Sequence, residues 1–137
     1  MVRLNAYLHF KNSSREAMEF YKTVLGGTLT MTTFKEGGLA NSSDDENKIM
    51  HAMLEAENGM VLMASDTPSQ MSYDPGDTVT LSLSGDDEAV LRGFWDKLAV
   101  DAKIEQPLSP SPWGDHFGML VDKFGINWMV NIAKPKP

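Results

Sequence analysis

The stretch "REAMEFYKTVLGG" at Arg15–Gly27 decides how this chain is read. Ala17, Phe20, Tyr21, Val24 and Leu25 recur at helical spacing and make one apolar stripe. "NSS" at Asn12–Ser14 offers capping hydroxyls ahead of it, and Gly26-Gly27 ends it. A short helix with one apolar stripe needs a sheet to lie on. The question is where the strands are, and whether the helix has a counterpart.

Strands stand on both sides of it. Leu4, Ala6, Leu8 and Phe10 share one face of a first strand, leaving Asn5, Tyr7 and His9 on the other. "TLTMTTF" (Thr28–Phe34) alternates as a second strand. "KIMHAMLEA" (Lys48–Ala56) and "MVLMASD" (Met60–Asp66) flank "ENG", so they pair as an antiparallel hairpin. The segment at Lys35–Asn47 is rich in glycine, serine and acids, and reads as a mobile lid or a disordered connector. "TPSQMSYDPGD" (Thr67–Asp77) has two prolines and no periodicity, as a linker should.

The order then returns. "TVTLSLS" (Thr78–Ser84) alternates as a strand, and "GDDEAVLRGFWDKLA" (Gly85–Ala99) is a helix capped by Asp86 or Asp87. Its inward residues are Val90, Leu91, Phe94, Trp95 and Leu98. Strands follow at Lys103–Ser109, His116–Asp122 and from Ile126 onward. Each half spells β-α-β-β-β, with modules at about 1–66 and 77–137 joined by a linker at 67–76. The fold class is α+β. Each sheet has its helix on one face and nothing on the other. Two such units can place their bare faces around a common cavity.

Composition narrows the function. A chain of 137 residues hides about 68% of its unfolded surface, so it folds without disulfides or a structural metal. A net charge of −7 argues against nucleic acid and anionic membrane as partners. No apolar run approaches a membrane span, and "MVRLNAYLHF" alternates instead of forming a signal sequence, so a cytoplasmic location is expected. With no cysteine, thiolate metal sites and cysteine nucleophiles are excluded. Ten methionines serve as core filler or as the lining of a pliable apolar pocket.

"REAMEFYKTVLGG", and later "WGDHFGMLVDKFGINWMVN" (Trp113–Asn131), resemble the vicinal oxygen chelate superfamily of glyoxalase, bleomycin-resistance and dioxygenase proteins. Within it the chain looks like the PhnB-like branch, through Tyr7–Phe10, Glu16–Gly27, Trp113-Gly114 and Asp122–Trp128. The resemblance implies two βαβββ modules, a cupped, barrel-like mixed sheet, a small-molecule ligand and a homodimer. Metal-dependent members hold one divalent ion through four strands. Carried over by the resemblance, those positions fall on Asn5, His51, Thr78 and Met129. His51 alone is a strong ligand type for such an ion. The usual metal site is therefore read as lost, and no cofactor is expected.

Other residues remain as candidates. His116 follows Trp113-Gly114 and is a possible acid/base group, or a loop histidine without chemistry. Neighbours on a strand point to opposite faces, so Asp115 and His116 make no dyad by spacing. His9 is a surface residue or a pocket wall. Tyr7 and Trp113 suit the walls of a pocket for a flat or apolar ligand, whereas Trp128 is expected in the core. No dinucleotide fingerprint, P-loop or nucleophile elbow is present. Some relatives carry a demethylubiquinone methyltransferase label, yet nothing here resembles an S-adenosylmethionine site. The reading is a metal-independent small-molecule binder. The alternatives are a metal-dependent lyase, isomerase or dioxygenase using His51, and a non-catalytic interaction module.

Overall fold

The computed structural model describes residues 2–134. Its chain divides into two compact units, residues 1–75 and 76–137.

The first unit runs β1 (Ala6–Phe10), α1 (Ser14–Leu25), β2 (Thr28–Thr33), β3 (Ile49–Glu55) and β4 (Val61–Asp66). Its sheet has the order β1-β4-β3-β2. β1 pairs in parallel with β4, and the other two pairings are antiparallel. The hairpin of β3 and β4 forms as expected, with Ala52 opposite Ala64. Helix α1 packs on β2, β3 and β4. Ala17, Met18 and Tyr21 on the helix and Ala52, Leu54 and Ala64 on the sheet are fully buried. Alanines at 17, 52 and 64 keep side-chain bulk low between helix and sheet, which suits the close approach of a dense core.

The N-terminus of α1 corrects the sequence reading. Ser13 stands at the cap position, but its side chain makes no capping bond. The cap comes from Asp66 at the far end of β4. Asp66 Oδ1 accepts the Ser14 N–H at 2.9 Å, and Oδ2 accepts the Ile49 N–H at 2.8 Å. One buried carboxylate thus ties α1, β3 and β4 together. At the other end, Gly26 has φ 75° and donates its N–H to Lys22 O. A Cβ on Gly27 would strike the carbonyl oxygen of Glu55, so each glycine of the pair has its own steric reason.

Residues 35–47 are tied down through Asp45, which is 1% exposed. Asp45 accepts from Ser69 Oγ at 3.0 Å and from the Ser69 N–H, and it pairs with Lys48 at 3.2 Å. Burial pushes its carboxyl up, but the Ser69 and Lys48 contacts outweigh that and hold it below the ordinary 3.8. Ser69 lies within the first unit, in the 67–76 segment expected to be a linker, so two segments that looked independent share an anchor.

The second unit runs β5 (Leu81–Gly85), α2 (Glu88–Leu98), β6 (Lys103–Pro110), β7 (His116–Val121) and β8 (Asn127–Ile132). Its order, β5-β8-β7-β6, repeats that of the first, again with the first strand parallel to the fourth. Neither sheet closes on itself. β5 starts three residues later than expected, because its ladder begins with Leu81 opposite Trp128. Thr78 lies outside the strand, exposed in a bend. Of the two candidate caps for α2, Asp87 serves, accepting the Val90 N–H at 3.2 Å. The inward stripe is narrower than read: Leu91, Trp95 and Leu98 are buried, Phe94 is half-buried and Val90 is exposed.

The "DKFGINW" segment has a local explanation. Asp122, 4% exposed, accepts the Phe124 and Ile126 N–H groups on Oδ1 and Trp128 Nε1 on Oδ2. The turn between β7 and β8 is therefore wound around one carboxylate, and that carboxylate also satisfies a buried indole, as buried polar groups demand.

Candidate functional site

Alternation along the strands sorts each sheet into a helix-covered face and an uncovered one. In the first unit the uncovered face carries a row from Tyr7 through Met63 and Met53 to Thr30. Beside it the Tyr7 hydroxyl meets His51 Nδ1 at 3.0 Å. The Tyr7 ring also stacks on His9, with centroids 5.2 Å apart. His9 Nδ1 in turn meets Ser65 Oγ at 3.3 Å. Tyr7 and His51, selected separately in the sequence, are thus partners, and His9 joins them. With the His51 proton on Nε2, Nδ1 accepts from the phenol.

A pocket of about 430 Å³ opens at the end of β1 and β4. His9, Ser65 and Phe34 line it together with Met71 and Tyr73 from the 67–76 segment of the same unit. Sequence reasoning missed these linker residues. The available signal was a methionine and a tyrosine inside an otherwise polar, proline-bounded run.

In the second unit the uncovered face carries two rows. Ser82, Met129, Met119 and Gln106 make one, and Ser84, Asn131, Phe117 and Ser109 the other. Trp113 is 60% exposed. Its Nε1 donates to Asn131 Oδ1 at 3.3 Å, and its ring meets Phe117 edge-on at 5.3 Å. Asn131 Nδ2 donates to Asp115 Oδ2 at 3.0 Å, so a carboxylate orients the amide that orients the indole. Around Trp113, Phe117, Met119, Pro110 and Pro112 lies a pocket of about 320 Å³.

His116 is not brought to that face. It alternates with Phe117 and shares the parity of the buried Gly118 and Leu120, on the side of α2. Asp115 turns to Asn131 instead. Asn131 and Phe117 went unselected; the pairing of β7 with β8 sets them opposite each other on the uncovered face.

The positions implied for a metal do not fit one. Asn5 precedes β1, His51 already engages Tyr7 through Nδ1, Thr78 is off the strand, and Met129 offers a thioether between Ser82 and Met119. Among the described residues no three His, Asp or Glu side chains converge as a metal site.

The family model described as 3-demethylubiquinone-9 3-methyltransferase matches residues 3–131. The chain belongs to this PhnB-like family. Protein PA1353 from Pseudomonas aeruginosa is 35% identical, with a TM-score of 0.86 over 98% of this chain and 100% of that one. The PhnB protein from Bacillus cereus is 25% identical, with a TM-score of 0.78 over 96% and 100% of the two chains. A glyoxylase/bleomycin resistance protein/dioxygenase domain from Frankia sp. EAN1pec shares the fold alone, at 14% identity and a TM-score of 0.63 over 98% of each chain. The PhnB-like chain is thus an α+β protein of the glyoxalase/bleomycin-resistance fold. Among its described residues no helix is long and apolar enough to cross a membrane.

Proposed function

We propose that this PhnB-like chain is a metal-independent small-molecule-binding protein, its ligand seated on an uncovered sheet face. The observation that carries the reading is the second unit's pocket, where an exposed Trp113, Phe117 and Met119 stand together. Apolar and aromatic walls with few polar groups are the usual make-up of ligand sites. Exposed tryptophan held by a chain of hydrogen bonds has no evident role in the core. Methyl transfer, the activity in the family's description, finds no support in this sequence, where no G-x-G-x-x-G fingerprint follows a strand to seat a nucleotide.

The test is thermal unfolding against a library of apolar and aromatic compounds, with and without a chelator. Ligand at a hundred times its Kd should raise stability by about 2.7 kcal/mol, undiminished by chelation. Stoichiometric zinc, nickel, manganese or iron that is lost in His51→Ala would establish the metal-dependent reading instead. Assembly as a homodimer accompanies the proposal. Light scattering at micromolar concentration should return twice the 15.2 kDa chain mass.

A further inference from the structure

We infer that the second unit's pocket selects neutral planar aromatics with N–H or O–H donors on their edge, the chemistry of indoles and phenols; this rests on the reading of that pocket as the ligand site. The absence of charge comes first. No acidic, basic or histidine side chain lines the slot. Charges of both signs stand outside it. The Asp115 carboxylate accepts from Asn131 Nδ2 at 3.0 Å, and the Lys134 ammonium lies beside Gly114. An ion entering the slot would lose hydration and meet no opposite charge in the lining, so a neutral ligand fits it.

The walls set the shape. Trp113 and Phe117 meet edge to face at 66°, and the indole is 60% exposed, which leaves one of its faces open to a flat ring. Met119 and two prolines complete the apolar part.

The polar edge of the slot has a sense. Ser111 Oγ donates to Asp115 O at 2.7 Å, and Ser109 Oγ donates to Pro107 O at 3.0 Å. Both serines are half-buried. Trp113 Nε1 donates to Asn131 Oδ1, and Pro110 and Pro112 have no N–H. Each hydroxyl oxygen keeps lone pairs, so both serines can accept from a ligand without losing the bonds that orient them. Gln106 is the one amide side chain of the lining, and it accepts as well as donates. Side-chain acceptors therefore outnumber free side-chain donors. A ring that presents an N–H or O–H is matched there, whereas a ring that presents only lone pairs faces oxygens.

Three small rings separate this polar edge from apolar contact: indole presents a donor, 1-methylindole presents none, and quinoline presents an acceptor. Each is titrated into the isotope-labelled full chain at near-neutral pH, where all three are uncharged, and its Kd is read from backbone amide shifts. Indole should bind about fivefold tighter than either analogue. Apolar contact alone predicts the reverse order for 1-methylindole, whose added methyl buries more apolar surface. Trp113→Ala should weaken all three. Ser109→Ala should lower indole's advantage about twofold, and Ser109→Ala with Ser111→Ala should erase it while 1-methylindole binds as before. An unchanged amide spectrum away from the slot shows that these variants keep their fold. If 1-methylindole or quinoline binds as tightly as indole and responds to Trp113→Ala, the donor class is wrong and the pocket stands. An advantage for indole that survives both serine substitutions arises elsewhere and overturns the inference. If none of the three responds to Trp113→Ala, the pocket is not the ligand site, and the proposed function falls with it.

Discussion

The benzo ring of Trp95 fills the space that a side chain on Gly118 would need. A Cβ built there lies 2.7 Å from Trp95 Cη2, 2.9 Å from Cζ3 and 3.0 Å from Leu108 Cα. Helix α2 packs on β8 and β5, and its Trp95 ring reaches β7 at the one position of that strand with no side chain. Gly118→Ala should destabilise the protein by about 2–3 kcal/mol, seen as a lower urea midpoint at unchanged slope. Adding Trp95→Phe removes the clashing atoms and should recover part of the loss.

Asp66 satisfies two buried N–H groups from distant segments. Asp66→Ala leaves the Ser14 and Ile49 amides without their acceptor and should lower unfolding free energy by about 3 kcal/mol. Ser13→Ala, by contrast, should change it by less than about 0.5 kcal/mol, because Ser13 does not cap the helix. Parallel urea titrations of the two variants check this.

Asp45 makes stability pH-dependent in acid. Its carboxyl is held below its ordinary value, so the folded state binds this proton less readily than the unfolded state. Its contribution is complete above the ordinary value of 3.8 and disappears as pH falls through the lower folded value. Wild-type midpoints should fall with acidification in that window. Asp45→Asn should flatten the slope, and an identical slope in the two proteins would remove Asp45 as its source.

The two tryptophans on the β7–β8 side should behave oppositely. Trp128 is 2% exposed with its Nε1 on Asp122, so Trp128→Phe should cost about 2 kcal/mol of stability. Trp113 is mostly exposed, so Trp113→Ala should stay within about 0.5 kcal/mol while binding is lost. Denaturation and ligand titration of each variant separate the structural indole from the functional one.

Local pattern made the element order legible in the sequence. Alternation marked the strands, the stripe marked α1, and "ENG" marked the hairpin. What stayed hidden depended on partners remote in sequence. A cap from Asp66, fifty-two residues beyond Ser14, has no local signature, whereas the serines beside the helix looked sufficient. Thr78–Thr80 has strand composition, but β8 supplies no ladder opposite it. At the site, Trp113 was legible because a large indole in a Ser/Pro/Gly loop lacks a packing reason. Its companions Asn131 and Asp115 needed strand parity that the loop before β7 obscured.

The parallel pairing of β1 with β4 and of β5 with β8 sets a schedule for synthesis. Ala6 leaves the ribosome long before Leu62, its partner, and Leu81 likewise waits for Trp128. Until then each opening strand is an unmatched edge, and only the consecutive hairpins can zip. β8 is also the inner strand that joins β5 to β7. A nascent chain stalled before Asn127 would thus expose two unsatisfied edges at once, making the last strand to emerge the one that guards the second unit from aggregation.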